Sequence, residues 1–400
     1  MTDDNNEKGS SINIFLFKIA LGLLLLYSLT VIVPVTIFRA PIPSKYNKNI
    51  ASTSIPTPEL DFEYTGVLRK VLLQHVESRC NDGSFPAIYY AIGKETDKWL
   101  IGLEGGGQCS DEASCKSRAE KSPYLITSNN TSDEIKLDGL YSPDPLKSKL
   151  SSWNKVYIKY CSSDGWHGDK VYHGGFGGSE MLHFQGARIV SDVFNFLMSG
   201  DSADMPVLSL EHTVLFTGFS AGGRGAMVNG DRIGGMGFSK LILMLDSCYY
   251  INTSFSWLVQ QTKDVYSNFV RGSVHASLNN VNSWKDLFGQ YRIPQVETRF
   301  FMIASLLDDY QVSIQHDFPF ITHQLIQDLV MRNNMSAVFS AGTKDHATGG
   351  SAVFYANKMR YTLFNKFMEE FLTGSGIFYP RTFLQSVICE SDECNPVNLT

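Results

Sequence analysis

The stretch Thr213-Val-Leu-Phe-Thr-Gly-Phe-Ser-Ala-Gly222 decides the fold that the sequence predicts. A short apolar run of strand-forming residues leads into a Gly-x-Ser-x-Gly pentapeptide, and a helical pattern follows from Gly223. A nucleophilic serine needs such a sharp strand-to-helix turn, because the turn pushes its hydroxyl outward while the flanking glycines let neighbouring backbone approach. The pentapeptide also arises by chance in ordinary glycine-rich turns, so its setting is what favours Ser220 as a nucleophile.

Apolar runs of strand length recur through the chain and alternate with helical patterns. The predicted strands lie at 99–103, 155–160, 213–217, 241–245, 300–304 and 336–340. Helical patterns cover Glu180–Leu197 and Thr322–Arg332. This alternation predicts an α/β fold with a mostly parallel central sheet covered by helices on both faces. In such sheets the functional groups lie in loops at the carboxyl ends of the strands.

A glycine-rich loop, Leu103-Glu-Gly-Gly-Gly-Gln-Cys109, comes directly after the predicted strand at 99–103. Attack on an ester develops negative charge on the carbonyl oxygen, and preorganised donors must meet that charge. Consecutive glycines can turn their N–H groups toward a ligand, and with the N–H of Ala221 they would form an oxyanion hole. A run of glycines alone is more often a flexible turn, so its position before Ser220 in the chain is what favours catalysis.

A serine nucleophile needs a histidine base further along the chain. The histidines after the pentapeptide are His275, His316, His323 and His346. His346 lies in the glycine-flanked loop Gly342–Gly350, just after the predicted strand at 336–340, which is where a base belongs. His323 falls in a helical pattern and His275 has no strand before it, which favours surface or packing roles for both.

The base in turn needs a carboxylate that orients its ring. Asp308 and Asp309 follow the predicted strand at 300–304, which is the expected place, and their spacing does not separate them. Asp246, directly after the predicted strand at 241–245, is a third option, although it comes early in the chain.

Five motifs follow one another in order over residues 60–350. They are Cys80-Asn-Asp-Gly-Ser84, Leu103-Glu-Gly-Gly-Gly-Gln-Cys109, Tyr160-Cys-Ser-Ser-Asp164, Gly218-Phe-Ser-Ala-Gly-Gly223 and Leu245-Asp-Ser247. Together they resemble the pectin acetylesterase/Notum family of carbohydrate- and lipid-ester hydrolases. The resemblance implies an α/β-hydrolase fold and a carboxylesterase that removes acyl groups.

The resemblance also implies roles for individual residues. Asp308-Asp-Tyr-Gln311 matches the Asp-x-x-Gln pattern headed by the family's triad aspartate, which selects Asp308 over Asp309. His346 matches the family's base by position more than by local sequence. The implied triad is Ser220, Asp308 and His346, and the implied oxyanion donors are Gly106, Gly107 and Ala221.

Two departures from the family pattern bear on the substrate. The Notum branch has a tryptophan where this chain has Gly107, whereas plant pectin acetylesterases keep a glycine there. Conversely, Tyr160–Trp166 and Asp246-Ser247 resemble the Notum branch. The leading hypothesis is an acetyl ester on a polysaccharide or glycan. The alternatives are a fatty-acyl (palmitoleoyl) ester on a lipidated protein, and a catalytically inactive, membrane-tethered binding glycoprotein.

The seven cysteines suggest disulfides rather than a metal site. The candidate pairs, of which the resemblance implies the first two, are Cys80–Cys161, Cys109–Cys115 and Cys389–Cys394. Cys248 is left over, and we interpret it as a free buried thiol. The sequence contains no Cys-x-x-Cys pair and no histidine cluster at ligand spacing, so we expect neither a metal nor another cofactor.

The N-terminal region differs in composition from the rest of the chain. Residues 1–11 form a polar tail, residues 12–38 are almost wholly apolar, and residues 39–59 have the proline-rich composition of a linker. The apolar segment contains twenty consecutive uncharged residues, enough to span a hydrocarbon core of about 30 Å. We predict a transmembrane signal-anchor, with a cleaved signal peptide as the alternative, ahead of one catalytic domain over residues 60–400.

Sequons and cysteines favour a lumenal or extracellular catalytic domain, either membrane-anchored or secreted after cleavage. The candidate glycosylation sites are Asn129, Asn130, Asn252, Asn334 and Asn398. Arg39, Lys45 and Lys48, which follow the apolar segment, weakly favour the opposite orientation. The net charge of −6 argues against a nucleic-acid partner, so the expected partners are the membrane and an ester-bearing polysaccharide or lipidated protein.

Overall fold

A mixed β-sheet runs through the part of the chain that the computed structural model describes. The described residues are 65–176, 179–202, 204–253, 256–305, 308–315, 336–341, 345–350, 364–365, 368–369 and 371–372. The strands, in chain order, are β1 (Val67–Leu72), β2 (Ala87–Ala91), β3 (Glu95–Leu103), β4 (Glu134–Lys136), β5 (Trp153–Ile158), β6 (Lys170–Phe176), β7 (Ser179–Phe184), β8 (Thr213–Phe219), β9 (Lys240–Asp246), β10 (Phe300–Ser305) and β11 (Ser336–Ala341).

Nine of these strands form one sheet in the order β11-β10-β9-β8-β3-β5-β2-β1-β4. Every neighbouring pair from β11 to β5 is parallel, whereas β2, β1 and β4 pair antiparallel at one edge. Strands β6 and β7 form a separate antiparallel hairpin. Because parallel strands end at the same edge of a sheet, the loops after β3, β8, β9, β10 and β11 lie on one side, where ligands bind in folds of this type.

Helices cover the sheet because its strands are apolar on both faces. The helices are α1 (Glu112–Lys121), α2 (Gly186–Ser199), α3 (Ala221–Gly234), α4 (Trp257–Val265), α5 (Val274–Leu278), α6 (Gly289–Arg292) and α7 (Asp309–Gln315). Along β8, Val214 and Phe216 belong to the same buried cluster as Phe194 of α2. Leu215, between them, packs in the opposite cluster with the helical residue Phe371. This alternation is the period of two that a strand requires.

The sequence analysis predicted the parallel strands but not the antiparallel strands at one edge of the sheet. All six predicted strands correspond to strands of the structure, namely β3, β5, β8, β9, β10 and β11. The α/β fold with a mixed, mostly parallel sheet is therefore confirmed. Strands β1, β2 and β4 were not predicted, and β4 has only three residues. A strand of three residues carries little hydrophobic pattern of its own.

The predicted helix over Glu180–Leu197 is wrong at its start. Residues up to Phe184 belong to strand β7, and helix α2 begins at Gly186. Leu182 and Phe184 are buried while His183 between them is half-buried, which is strand periodicity rather than helix periodicity. The predicted helix over Thr322–Arg332 lies outside the described residues.

One disulfide joins two loops, and the other joins the glycine-rich loop after β3 to helix α1. Cys80 is bonded to Cys161 across a sequence separation of 81 residues, and Cys109 is bonded to Cys115 across six. Both are pairs that the family resemblance implied. Cys248 is a free, buried thiol in the structure. The third candidate pair, Cys389–Cys394, lies outside the described residues.

The N-terminal interpretations concern residues that the structure does not describe. The polar tail 1–11, the apolar segment 12–38 and the linker 39–59 all fall outside the described residues. The described residues all belong to one unit, Leu60–Thr400. Within them, no helix combines the length and the apolar character that crossing a bilayer requires.

The two disulfides should contribute unequally to the stability of the full-length chain. Loop-closure entropy predicts a loss in the free energy of unfolding of about 4 kcal/mol for Cys80→Ser with Cys161→Ser, against about 2 kcal/mol for Cys109→Ser with Cys115→Ser. Urea denaturation followed by tryptophan fluorescence measures both losses, and the short-loop pair is the matched control. Equal losses would contradict the loop-length argument.

Candidate active site

Ser220 lies on the turn between β8 and α3 in a backbone conformation that L-residues rarely adopt. Its φ is 54° and its ψ is −121°, and its N–H donates a hydrogen bond to the backbone oxygen of Asp246 at 3.0 Å. A Cβ at Gly218 would lie 2.3 Å from backbone atoms of Gly222, and a Cβ at Gly222 would lie 2.2 Å from the oxygen of Leu103. The turn therefore requires both glycines of the pentapeptide.

His346 and Asp308 form a hydrogen-bonded pair. Nδ1 of His346 lies 2.8 Å from Oδ2 and 3.0 Å from Oδ1 of Asp308, which is almost fully buried. The backbone N–H and the side-chain amide of Gln311 donate to the same carboxylate at 2.9 and 3.2 Å. Asp309 is exposed. The structure thus brings Asp308, and not its neighbour, against the histidine.

The second ring nitrogen of the histidine is available for proton transfer. Nε2 of His346 is buried and has no hydrogen-bond partner among the described residues. His346 and Ser220 line the same cavity, and the ring of Tyr310 packs on the imidazole with a centroid separation of 4.5 Å. The hydroxyl of Ser220 lies 3.4 Å from that of Tyr250. Hydrogen bonds to a nucleophile are often long in a free enzyme and tighten when substrate binds.

Asp246 holds the loop that carries the histidine. Its carboxylate accepts hydrogen bonds from the N–H groups of Thr348 at 3.2 Å and Gly349 at 2.6 Å. Ser247 accepts one from the N–H of Ala347 at 3.0 Å. Burial raises the pKa of Asp246 to about 6, and these N–H donors oppose the rise. Asp246, the third candidate for the triad carboxylate, therefore binds the loop that carries His346 rather than the imidazole ring.

The glycine-rich loop after β3 is held at both ends by the Tyr160–Trp166 segment. The carboxylate of Glu104 accepts from Lys159 Nζ at 2.6 Å and from the Tyr160 N–H at 2.7 Å, and its backbone oxygen accepts from Trp166 Nε1 at 2.9 Å. The Tyr160 hydroxyl donates to the backbone oxygen of Gly107 at 2.9 Å. The loop is thereby fixed before any ligand binds, as an oxyanion hole must be.

The three proposed oxyanion donors lie beside the nucleophile. Gly106, Gly107 and Ala221 line the cavity together with Ser220. Gly106 has φ 138° and Gly107 has φ 66°, and a Cβ at Gly106 would lie 2.9 Å from a methyl carbon of Leu125. The glycines are thus needed for this backbone path.

The cavity has a volume of about 510 Å³ and a mixed lining. Its apolar and aromatic residues are Tyr124, Leu125, Phe219, Tyr250, Trp257, Leu258, Tyr310 and Ile314. Its polar residues besides the nucleophile and the histidine are Gln108, Arg118, Arg224 and Gln261. No role was predicted for these lining residues, although Gln108, Phe219 and Tyr310 lie within the sequence motifs. Arg224 follows the nucleophile by one helical turn.

Arg224 is almost completely buried behind the nucleophile. Its Nη1 donates to Oε1 of Gln108 at 3.3 Å, and its Nη2 donates to the backbone oxygen of Leu287 at 3.0 Å. The guanidinium lies 5.5 Å from the centre of the Tyr250 ring. Burial lowers the pKa of Arg224, and burial raises the pKa of the Tyr250 hydroxyl, which stays a neutral donor. Arg224 thus fixes two groups of the cavity wall.

The other candidates lie away from this cavity or outside the described residues. Nδ1 of His275 lies 2.8 Å from Asp169 and its Nε2 lies 3.0 Å from Ser191 on α2, so it packs elsewhere. His316 and His323 are outside the described residues. Within those residues, no group of His, Cys, Asp and Glu could hold a metal ion.

The candidate glycosylation sites differ in exposure. Asn129 and Asn130 are exposed. Asn252 is half-buried, and its side-chain amide donates to the hydroxyl of Tyr291 at 3.2 Å. Asn334 and Asn398 are outside the described residues.

Sequence comparison identifies relatives of two kinds. The sequence model of a family described as Pectinacetylesterase matches residues 65–327. Palmitoleoyl-protein carboxylesterase Notum of Drosophila melanogaster is 26% identical over 307 residues, which cover 71% of this chain and 45% of the relative. The Notum of Schmidtea mediterranea is 37% identical over 159 residues, or 39% of this chain and 28% of the relative. Pectin acetylesterase 5 of Arabidopsis thaliana is 32% identical over 155 residues, or 38% of this chain and 34% of the relative.

Solved structures show the same fold. The crystal structure of the Wnt deacylase Notum from Drosophila superimposes with a TM-score of 0.59 and 23% identity, covering 72% of this chain and 87% of that one. This likeness establishes the fold alone. The matched regions span from 28% to 45% of the three curated relatives named above.

Loss of the Asp246 carboxylate should misplace the histidine. In Asp246→Ala, two buried N–H groups lose their acceptor, and a displacement of about 1 Å in a reacting group can cost about 100-fold in rate. We expect kcat for p-nitrophenyl acetate to fall by about that factor. Asp309→Ala, which removes an exposed carboxylate, is the matched control and should change little. A normal kcat in Asp246→Ala would show that the loop holds its position without this carboxylate.

Proposed function

The chain belongs to the pectinacetylesterase family, and on that premise we propose that it is a serine carboxylesterase of the α/β-hydrolase type. The observation that carries the proposal is the convergence of Ser220, His346 and Gly106–Gly107 on one cavity, with Asp308 bonded to the histidine on its far side.

In the first half of the proposed reaction, the enzyme is acylated. Nε2 of His346 takes the proton of Ser220 as Oγ attacks the ester carbonyl, and a tetrahedral oxyanion forms. The N–H groups of Gly106, Gly107 and Ala221 stabilise that oxyanion, and loss of one such donor typically costs about 2.7–4 kcal/mol of barrier. The imidazolium then gives its proton to the leaving alcohol as the C–O bond breaks.

In the second half, water releases the acyl group. His346 takes a proton from water, the resulting hydroxide equivalent attacks the acyl-enzyme, and the proton returns to Ser220 as the carboxylic acid leaves. Asp308 keeps the proton of the neutral ring on Nδ1 and stabilises the cationic ring in both halves. Its hydrogen bonds from Gln311 hold the carboxylate in place for this role.

An acetyl ester on a polysaccharide or glycan is the substrate that the cavity wall supports best. Arg118, Arg224 and Gln108 present charge and amide groups close to the nucleophile. Burying an alkyl chain against charged and amide groups to which it cannot hydrogen-bond is unfavourable, whereas an acetyl group has little apolar surface to bury there. The similarity to Arabidopsis pectin acetylesterase 5 supports the same substrate class.

A fatty-acyl (palmitoleoyl) protein deacylase is the second candidate. The cavity of about 510 Å³ is far larger than an acetyl group requires, and Trp257, Leu258 and Ile314 give it an apolar wall. The similarity to the Notum palmitoleoyl-protein carboxylesterases supports this reading. A catalytically inactive binding glycoprotein is disfavoured by the intact histidine–aspartate pair.

We place the catalytic domain in the lumen or outside the cell, anchored by residues 12–38 or secreted if that segment is cleaved. Two disulfides within the described residues support an oxidising compartment. The exposed sequons at Asn129 and Asn130 are consistent with it.

Ser220→Ala should abolish ester hydrolysis and covalent labelling by a fluorophosphonate, because both need the Oγ nucleophile. The fold should persist, since alanine removes one atom at a position whose backbone is held by other residues. Turnover of p-nitrophenyl acetate and in-gel fluorescence of the labelled full-length chain measure the two effects. Wild-type protein that is folded but never labelled would support the inactive alternative instead.

The length of the acyl chain should distinguish between the two proposed enzyme activities. We expect kcat/KM on p-nitrophenyl esters to fall at least tenfold between the acetate and the octanoate, because long chains must pack against the guanidinium groups. Ser220→Ala serves as the blank for spontaneous hydrolysis. A rise toward the longer chain would favour the deacylase of lipidated proteins.

A further inference from the structure

The hydroxyl of the nucleophile has one hydrogen-bond partner among the described residues, the hydroxyl of Tyr250. Oγ of Ser220 and Oη of Tyr250 lie 3.4 Å apart, and either can be the donor in the free enzyme. Nε2 of His346, which takes the Ser220 proton in the proposed reaction, has no partner in the described part of the chain. A hydroxyl has one donor and two acceptor positions. Oγ can therefore donate to His346 and accept from Tyr250 at the same time.

Tyr250 lies in a small apolar cluster where a phenylalanine would need no hydrogen-bond partner. The other buried members of the cluster are Leu258, Phe288 and Ile314, and Tyr250 itself is only 3% exposed. Burying a hydroxyl costs free energy unless it is hydrogen-bonded, and buried tyrosines usually direct their O–H at a partner. Within the described residues that partner is Ser220. The phenolic oxygen is therefore explained by its contact with the nucleophile.

The ring of Tyr250 is held by the residue one helical turn after the nucleophile. The guanidinium of Arg224 lies 5.5 Å from the centre of the Tyr250 ring and 5.7 Å from that of Phe288. A cation within about 6 Å of a ring centre is attracted to the face of the ring. Arg224 is fixed in turn by the backbone oxygen of Leu287, which accepts from Nε at 3.2 Å and from Nη2 at 3.0 Å. The phenol is thus in position beside Oγ before a substrate binds.

The surroundings of the Tyr250 hydroxyl keep it protonated. Burial raises the pKa of this hydroxyl and the neighbouring Tyr310 raises it further, while the hydrogen bond with Ser220 and the charge of Arg224 oppose the rise. A phenol that stays neutral near pH 7 does not act as a base. The proton of Ser220 therefore goes to His346, and the role that remains for Tyr250 is that of a donor.

We propose that Tyr250 is a further catalytic residue, whose hydroxyl donates a hydrogen bond to Oγ of Ser220 while that oxygen carries negative charge. This role rests on the carboxylesterase function proposed above. In acylation, Oγ gains charge as its proton moves to Nε2 of His346 and its bond to the acyl carbon forms. In deacylation, Oγ gains charge again as that bond breaks, and it then takes the proton back from His346.

Tyr250 keeps its own proton in both halves of the reaction. Hydrogen bonds to a charged atom are roughly twice as strong as those between neutral groups. The bond from Tyr250 is therefore stronger in the two transition states than in the free enzyme, and such a difference is what lowers a barrier. The separation of 3.4 Å fits this role, because catalytic hydrogen bonds are often long in a free enzyme and tighten during the reaction.

The test is Tyr250→Phe in the full-length chain, which removes the hydroxyl and keeps the ring. Hydrogen bonds to charged groups of the usual strength predict that kcat/KM for p-nitrophenyl acetate falls about ten- to a hundredfold. The factor should be the same for p-nitrophenyl butyrate, because Oγ is common to both reactions. The rate of labelling by a fluorophosphonate should fall as well, since it also requires attack by Oγ. A merely structural change in the cavity wall would instead alter the ratio of the two esters.

Tyr249→Phe is the matched control. It removes the same atom from the adjacent residue, which is equally buried and is not among the described residues that line the cavity. Its rates on both esters should match those of the wild type, and urea denaturation should show that both variants are folded. A wild-type rate in Tyr250→Phe, a loss confined to one ester, or an equal loss in Tyr249→Phe would overturn the role of Tyr250.

The pH dependence of kcat/KM separates an effect on Oγ from an effect on the base. The acidic limb of the profile should lie at the same pH in Tyr250→Phe and in the wild type, because His346 remains the base in both. A displaced limb would show that the hydroxyl acts through the histidine and would overturn the assignment.

Failure of the carboxylesterase function gives a different result. A folded wild-type chain that neither hydrolyses an ester nor reacts with the fluorophosphonate would overturn that function and the role of Tyr250 with it. An active wild type with an equally active Tyr250→Phe variant would overturn the role of Tyr250 alone.

Discussion

Asp246 joins the two loops on which the proposed chemistry depends. Its backbone oxygen accepts the N–H of Ser220, and its carboxylate accepts two N–H groups of the loop after His346. Ser220, Ser247 and Ala347 all have positive φ, at 54°, 50° and 68°. Non-glycine residues in such sparsely populated conformations typically cost about 1–3 kcal/mol each, and they persist only where surrounding contacts over-determine them. Asp246 and its neighbour Ser247 supply several of those contacts, so the end of β9 holds both the nucleophile and the base in place.

The oxyanion loop is fixed by an independent set of contacts. Glu104 is bonded to Lys159 and Tyr160, and the Tyr160 hydroxyl reaches the far end of the loop at Gly107. The Cys80–Cys161 disulfide anchors the residue next to that tyrosine. Electrostatic stabilisation of an oxyanion is effective only where donors do not have to reorganise. The separate anchoring of this loop thus brings together motifs that are far apart in the sequence, around Cys80, Glu104 and Tyr160.

A feature could be predicted from the sequence where the residues that determine it lie close together in the chain. The turn at Ser220 was predictable because strand, glycines and helix are contiguous, and the parallel strands were predictable because most of them are short apolar runs. Asp308 needed a family pattern, since Asp309 has the same spacing. The role of Asp246 could not be predicted, because its bonds to the loop after His346 join residues about a hundred positions apart. Arg118 was missed for the same reason, since only the folded chain brings helix α1 to the cavity.

The cavity is lined by apolar residues on one side and by charged and amide groups on another, and a small acyl group requires neither. Leu258 and Ile314 give it an apolar wall that fits hydrocarbon, while Arg118 and Gln108 bring charge and an amide to its lining. Gly107 and Arg118 both line the cavity, and a Cβ at Gly107 would lie 4.0 Å from Nη1 of Arg118. The residue at position 107 therefore affects both the path of the oxyanion loop and the cavity wall beside it.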